Sequence, residues 1–151
     1  MALVQTRLAT ADDLEGVAAL FDGYRMFYGK PSDLTAARGF IAERMESGDS
    51  VIIVAEADGQ LIGFVQLYPS FSSVRMDRIM ILNDLFVAPD HRAVGAGRAL
   101  LDAATKWARR IGAVRMTLST AEDNVAAQQV YEKAGWAHEI AFRTYNLELA
   151  N

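Results

Sequence analysis

The sequence predicts an α/β protein of the α+β kind: a mixed, mostly antiparallel central sheet flanked by helices, in a single domain over residues 1–151. Three observations carry this. Two strand-rich stretches, "SVIIVAEADGQLIGFVQLYP" and "RMDRIMILNDLFV", crowd the middle of the chain. Helical periodicity fills the region before them, and a strand–helix–strand unit follows them.

The elements follow in order. "ALVQTRLA" reads as a short strand. Thr10, with Asp13 three residues on, makes a capping-box pattern, and Leu14, Val17, Phe21, Tyr24 and Tyr28 continue at helical spacing until Gly29 and Pro31 stop the run. A second helix is expected from Ser32 to Ser47, burying Leu34, Ala37, Ile41 and Met45 and ending at Gly48. Two β-rich runs flank Asp58-Gly59, a hairpin signal because both central positions of a type I′ turn need positive φ. "PSFSSV" reads as a loop, and "RMDRIMILNDLFV" as a long strand that ends at Ala88-Pro89. Leu100, Ala104, Trp107, Ala108 and Ile111 mark one face of a helix closed by Gly112. "AVRMTLST" is a buried-strand candidate, Asn124 to Ala134 a short helix, and "GWAHEIAFRTYNLEL" one or two closing strands.

Composition narrows the function. A net charge of −4 does not suit a broad nucleic-acid surface, and the chain has no cysteine, which excludes disulfides, thiolate metal sites and a cysteine nucleophile. His91 and His138 are isolated, so no metal site is expected. The first residues, "MALVQTRLATADD", do not resemble a signal peptide and no run approaches membrane-spanning length; a cytoplasmic protein is expected.

The chemistry centres on "HRAVGAGRALL", where a strand gives way to a helix through two glycines. A P-loop is excluded because no lysine follows Gly97, and a dinucleotide fingerprint because leucine stands where its third glycine belongs. In Arg92-Ala93-Val94-Gly95-Ala96-Gly97-Arg98, small residues let backbone N–H groups approach an anion, the helix N-terminus adds a favourable dipole, and two arginines add mobile positive charge. This suits a pyrophosphate held without metal. The glycines alone equally allow an empty, tight strand-to-helix turn.

The segment Arg92-x-x-Gly95-x-Gly97, after "NDLFVAPDH", resembles the (Q/R)-x-x-G-x-(G/A) motif of the GNAT superfamily of N-acetyltransferases. A second match lies downstream: Asn124 opens a helix, Tyr131 follows seven residues later, and Gly135-Trp136 ends it. The resemblance implies a GNAT-like acyl-CoA N-acyltransferase fold, with acetyl-coenzyme A as co-substrate and its pyrophosphate on the loop from Arg92 to Arg98. It gives Tyr131 the role of protonating the departing thiolate. It also implies that the backbone from Leu85 through Phe86 to Val87 faces the cofactor, with one N–H polarising the acetyl carbonyl. Homodimers are common in the family.

The residues bear on this chemistry directly. Seven positions place Asn124 and Tyr131 on one helix face, about 10 Å apart along the axis. An unperturbed tyrosine titrates near ~10 and keeps its proton at neutral pH. Asp84 interrupts an apolar strand, where a buried carboxylate needs a reason: it is either the base or amine contact, or a structural hydrogen-bonding group at a bulge. The resemblance places an acid one position earlier, where this chain has Asn83. With no cysteine, direct attack by a primary amine in a ternary complex is the simplest mechanism.

For the acceptor, "GYRMFYG" clusters Tyr24, Arg25, Phe27 and Tyr28. Tyr24 and Tyr28 also continue the buried stripe, which leaves Arg25 as the better contact for a carboxylate. "YRMFYGKPSD" with "ILNDLFV" resembles the branch acting on histone tails, polyamines and D-amino acids, so a small-molecule or peptide amine is the expected partner. Two other readings remain: a catalytically silent CoA-binding regulatory module, or an acyltransferase using a longer acyl-CoA.

Overall fold

A computed structural model describes residues 3–150; Ala2 of the first strand candidate lies outside them. The described chain divides into two compact units, one ending at Ser119 and the other beginning at Thr120.

The first unit holds strands β1 (Gln5–Leu8), β2 (Val51–Ala57), β3 (Gln60–Ser72), β4 (Asp77–Val87) and β5 (Met116–Thr117), with helices α1 (Leu14–Phe27), α2 (Leu34–Ser47) and α3 (Ala96–Arg110). The sheet runs in the order β1-β2-β3-β4-β5. Its first four strands pair antiparallel and β5 pairs parallel to β4, so the expected mixed, mostly antiparallel sheet is present.

Local chemistry explains most boundaries. Thr10 and Asp13 form the expected capping box at a 3-10 turn that leads into α1. Asp13 also accepts two hydrogen bonds from Arg7, at 2.7 and 2.9 Å. The Arg7 guanidinium holds its carboxyl well below the ordinary range, at about 2. The Asp13 contribution is therefore complete above the ordinary carboxylate value and is lost as pH falls through about 2. Asp13→Asn should cost about 1–2 kcal/mol at neutral pH, since Arg7 is half-exposed and screened, and little at pH 2. Urea unfolding at both pH values checks this; an equal loss at both would assign the effect to packing.

Asp58 and Gly59 adopt φ of 52° and 74°, the doubly left-handed turn expected of the β2–β3 hairpin. Gly48 caps α2 at φ 62°. Val17, Leu20 and Phe21 of α1 and Ala37 and Ile41 of α2 pack on Ile52, Val54, Phe64 and Phe86, which fixes one face of the sheet. Gly63, one residue from Phe64, faces the other way, where an added Cβ would lie 3.1 Å from Leu100 of α3. The sheet is thus covered on both faces.

Four expectations are corrected. Leu34 is 52% exposed, because it sits in the first turn of α2, before the helix meets the sheet. "PSFSSV" is not simply a loop: β3 continues through Pro69 to Ser72. Pairing with β2 ends at Leu67, so beyond it β3 has an open side where a proline without an N–H is tolerated. The strand expected over "AVRMTLST" shortens to Met116–Thr117. Among the described residues the segment 137–150 forms no strand.

The second unit contains α4 (Val125–Lys133), close to the expected span. Asn124 is its N-cap and accepts from Ala127 N at 3.3 Å. No described helix is long and apolar enough to cross a membrane.

Candidate functional site

The site is organised by an irregularity in β4. Gln66 pairs with Asp84 and Leu67 with Leu82, so Asn83 is an extra residue, a β-bulge. Peptide groups alternate between the two edges of a strand, and a bulge reverses the phase. Met80 donates to Arg115, towards β5, whereas Ala88, also even-numbered, donates to Ile62 on β3. The single extra residue accounts for the reversal. After it, the peptide groups of Leu85 and Val87 face away from β3, and β5 pairs with β4 only at Met80 and Ile81. A stretch of β4 edge beyond Ile81 therefore has no strand beside it. Phe86 points its peptide at β3 and buries its ring against α1.

The same bulge places Asp84 opposite Gln66, on the α1–α2 face with Phe64 and Phe86. Asp84 is 1% exposed; its Oδ2 accepts from Gln66 Nε2 at 2.6 Å and its Oδ1 from Asn83 Nδ2 at 2.7 Å. The Ser50 hydroxyl donates to Gln66 Oε1 at 2.9 Å, which leaves the Gln66 amide nitrogen for Asp84. Burial pushes the Asp84 carboxyl above its ordinary value, against the two amide donors that lower it. Tyr68 lies two residues beyond Gln66 on the same face, and desolvation together with the Asp84 charge pushes its hydroxyl up to about 12.

Sequence reasoning missed Gln66, Ser50 and Tyr68. The available signal was a glutamine inside "IGFVQLYP", a polar side chain amid apolar neighbours that requires a buried partner.

Aromatic groups from α1 border this face. The Tyr24 hydroxyl donates to the Asn83 carbonyl at 3.0 Å, and the Tyr24 ring packs against Phe64 and Phe86. Tyr28 is half-exposed and meets Tyr24 edge-on, with centroids 5.1 Å apart. Tyr24 is thus mostly core and Tyr28 mostly surface. Arg25 is half-buried, and its charge helps hold down the Asp22 carboxyl, which chiefly accepts from Ser32 Oγ and Asp33 N. That cluster ties the end of α1 to the start of α2.

The glycine turn meets the requirements of an anion cradle. Ala93 and Gly95 have φ of 67° and 86°, and Gly95 is the N-cap of α3 with no side chain to satisfy the first N–H groups. A Cβ on Gly95 would meet nothing within 4 Å, so the space before the helix is open. Ala96 is buried, whereas Val94 is half-exposed. Gly97 keeps the helix near the sheet: a Cβ there would lie 4.0 Å from Val87 Cγ2.

Neither arginine is as mobile as its sequence position suggested. Arg92 Nε donates to the Val87 carbonyl at 3.0 Å, and its guanidinium lies 5.6 Å from the Phe86 ring centroid and 5.9 Å from that of Phe27. Arg98 pairs with Asp102 across one helical turn at 2.9 Å. That exposed pair is weak enough to rearrange. The backbone N–H groups therefore form the fixed part of the cradle. In the second unit, the Tyr131 ring is tilted against Trp136 at 6.1 Å. No group of three or more His, Cys, Asp or Glu side chains that could hold a metal occurs among the described residues.

Known proteins match this arrangement. The profile of the family described as "Acetyltransferase (GNAT) family" matches residues 17–136. An uncharacterized N-acetyltransferase of Bacillus subtilis, YhfO, is 47% identical over 143 residues, 95% of this chain and 96% of that protein. The crystal structure of a probable acetyltransferase superposes with a TM-score of 0.92 at 42% identity, covering 97% of this chain and 99% of the other. The fold is also that of an aminoglycoside N-acetyltransferase solved in complex with CoA, with a TM-score of 0.78 at 22% identity, 99% of this chain and 97% of that one.

Proposed function

Because the chain belongs to the GNAT family of acetyltransferases, we propose that it moves an acetyl group from acetyl-CoA to a primary amine of a small molecule or peptide, by direct attack in a ternary complex. The observation that carries this reading is the pairing of an uncapped helix N-terminus at Gly95 with an open β4 edge at Leu85 and Val87. The first suits a pyrophosphate and the second an extended amide-bearing arm. Acetyl-CoA supplies the activated thioester; everything else is asked of the protein.

The residues divide the work. Backbone N–H groups from Arg92 to Arg98 hold the pyrophosphate. A peptide N–H of the Leu85–Val87 edge stabilises negative charge on the acetyl oxygen as the amine nitrogen bonds to the carbonyl carbon. As the C–S bond breaks, the Tyr131 hydroxyl gives its proton to the leaving sulfur. Asn124, with its Oδ1 used as a cap, has its amide N–H groups for the pantetheine arm. Arg25 and Tyr28 border the acceptor.

The amine must lose a proton. Asp84 is too enclosed to be an open contact for a substrate, while Asn83, which donates to it, is exposed. We assign Asn83 Oδ1 as the acceptor of an amine N–H, with Asp84 fixing its orientation and lowering the cost of the departing proton electrostatically. The raised Asp84 value gives the sign: activity falls as pH drops below a point higher than an ordinary carboxylate's. Asp84→Asn should remove that acid limb and reduce kcat by roughly tenfold or more, with a smaller change in KM. An unchanged pH profile would leave Asp84 as a purely structural group.

Thiol release with acetyl-CoA, across polyamines, amino acids of both hands, aminoglycosides and histone-tail peptides, tests the function. A single strong acceptor is expected. CoA binding without turnover on any amine would favour a silent regulatory module, and turnover only with longer acyl-CoA would move the donor assignment.

A further inference from the structure

The second unit has no buried side chain at all among its described residues. Every residue from 137 to 150 is exposed, including Ile140 (84%), Phe142 (79%), Tyr145 (83%), Leu147 (84%) and Leu149 (88%). A segment this apolar is not left in water without consequence. Its residues alternate at 140 and 142 and, after a one-residue phase change, at 145, 147 and 149. Alternation marks strand-forming chain with one face to bury, and such a phase change is what a bulge produces.

The first unit has the complementary deficiency. β5 is an edge of the sheet, only two residues long, and Val114, Met116 and Leu118 are only half-buried. Met80 and Val114 exchange hydrogen bonds with Arg115 and Arg78, which links this edge to the base of the β3–β4 hairpin. The hairpin tip exposes Phe71 (76%), Val74 (94%) and Met76 (89%). The edge and tip carry Arg75, Arg78 and Arg115, none of them in an ion pair among the described residues, against the single acid Asp77. The arm carries Glu139 and Glu148 against Arg143. The two surfaces match in polarity and in sign of charge.

We propose that the 137–150 arm docks on the β5 edge of a second copy of this chain, and that the exchange is reciprocal. Each copy presents both an unburied strand and an unfilled edge, so a two-fold exchange completes two sheets at once. The area is sufficient. Five side chains of about 100–150 Å² each, mostly exposed, remove roughly 600 Å² per arm and a similar area from each receiving edge. Two exchanges then bury about 2,400 Å², above the about 1,600 Å² of a standard stable interface. This inference does not depend on the acceptor or on the catalytic assignments.

The absence of cysteine makes the test direct. Light scattering on the native chain should give twice the 16.5 kDa chain mass, and the double variant Phe142→Asp, Leu147→Asp should be monomeric with its far-ultraviolet spectrum preserved. In parallel, a Thr117→Cys chain and a Thr144→Cys chain, co-refolded and treated with a short bis-maleimide, should form a linked heterodimer. A native monomer would overturn the proposal, whether its arm is protected from hydrogen exchange by its own edge or left open for another protein. A dimer indifferent to the aspartates would overturn it too, as would a chain carrying both cysteines that cross-links only within itself. The cross-link is read on an otherwise native chain, so misfolding of the aspartate variant cannot imitate either outcome.

Discussion

Replacing Tyr131 with Phe should lower kcat by a factor on the order of 10²–10⁴ and leave acetyl-CoA affinity nearly unchanged. The substitution removes one hydroxyl and keeps the ring that meets Trp136 at 6.1 Å, so helix α4 has no packing reason to move. An alkyl thiolate is a poor leaving group until it is protonated, and a tyrosine near its reference value of ~10 still holds a proton at neutral pH. The loss should therefore appear in the chemical step, and it should shrink when the leaving thiol is made more acidic. Single-turnover kinetics separates the step from binding. Wild-type turnover in this variant would move the acid role elsewhere; a fall in affinity equal to the fall in rate would make the hydroxyl a binding group.

The second large effect is expected at Gly95. Its φ of 86° lies where a β-branched residue is strained, and it sits immediately before the unsatisfied N–H groups of α3. Gly95→Val should reduce CoA affinity by about ten- to a hundredfold, equivalent to about 1.4–2.8 kcal/mol. The space around the position is open, so the loss comes from backbone rotation and from methyl groups where the anion would lie, not from a clash with the fold. Gly39→Ala, in helix α2 with nothing within 4 Å of the new methyl, is the matched control and should bind CoA normally. Calorimetric titration with CoA reads both variants. Unchanged affinity in Gly95→Val would remove the pyrophosphate from this loop.

Much of the fold was legible because local chemistry decides it. The Thr10–Asp13 capping box, the Asp58-Gly59 turn and the left-handed Gly48 each depend on a few adjacent residues. Leu34 was misplaced because periodicity gives a helix a face but does not say where the helix first touches the sheet. The length of β3 was missed because tolerance of Pro69 depends on where the neighbouring strand stops. The missing strands over 137–150 share that cause: alternation states that a segment can pair, and only the whole assembly determines with what.

The candidate site divides along the same line. The glycine cradle is contiguous in sequence and was readable from "RAVGAGR". The buried chain from Ser50 through Gln66 to Asp84 joins three strands' worth of distant sequence, and only Asp84 stood out by itself. Its structural reading and its catalytic reading prove compatible, since a carboxylate can be enclosed and still govern the exposed amide beside it.

The extra residue at Asn83 also makes β4 a counted device. On either side of it the strand obeys opposite parities, so the sheet's interior ladder and the donor-facing edge are connected by a single unit of length. Shortening β4 by one residue there would exchange the two in everything downstream: Phe86 would turn from the core and Leu85 would take its place. Length at this point, more than residue identity, is what evolution has least freedom to alter, and a designer who grafts new side chains onto this strand inherits the same arithmetic.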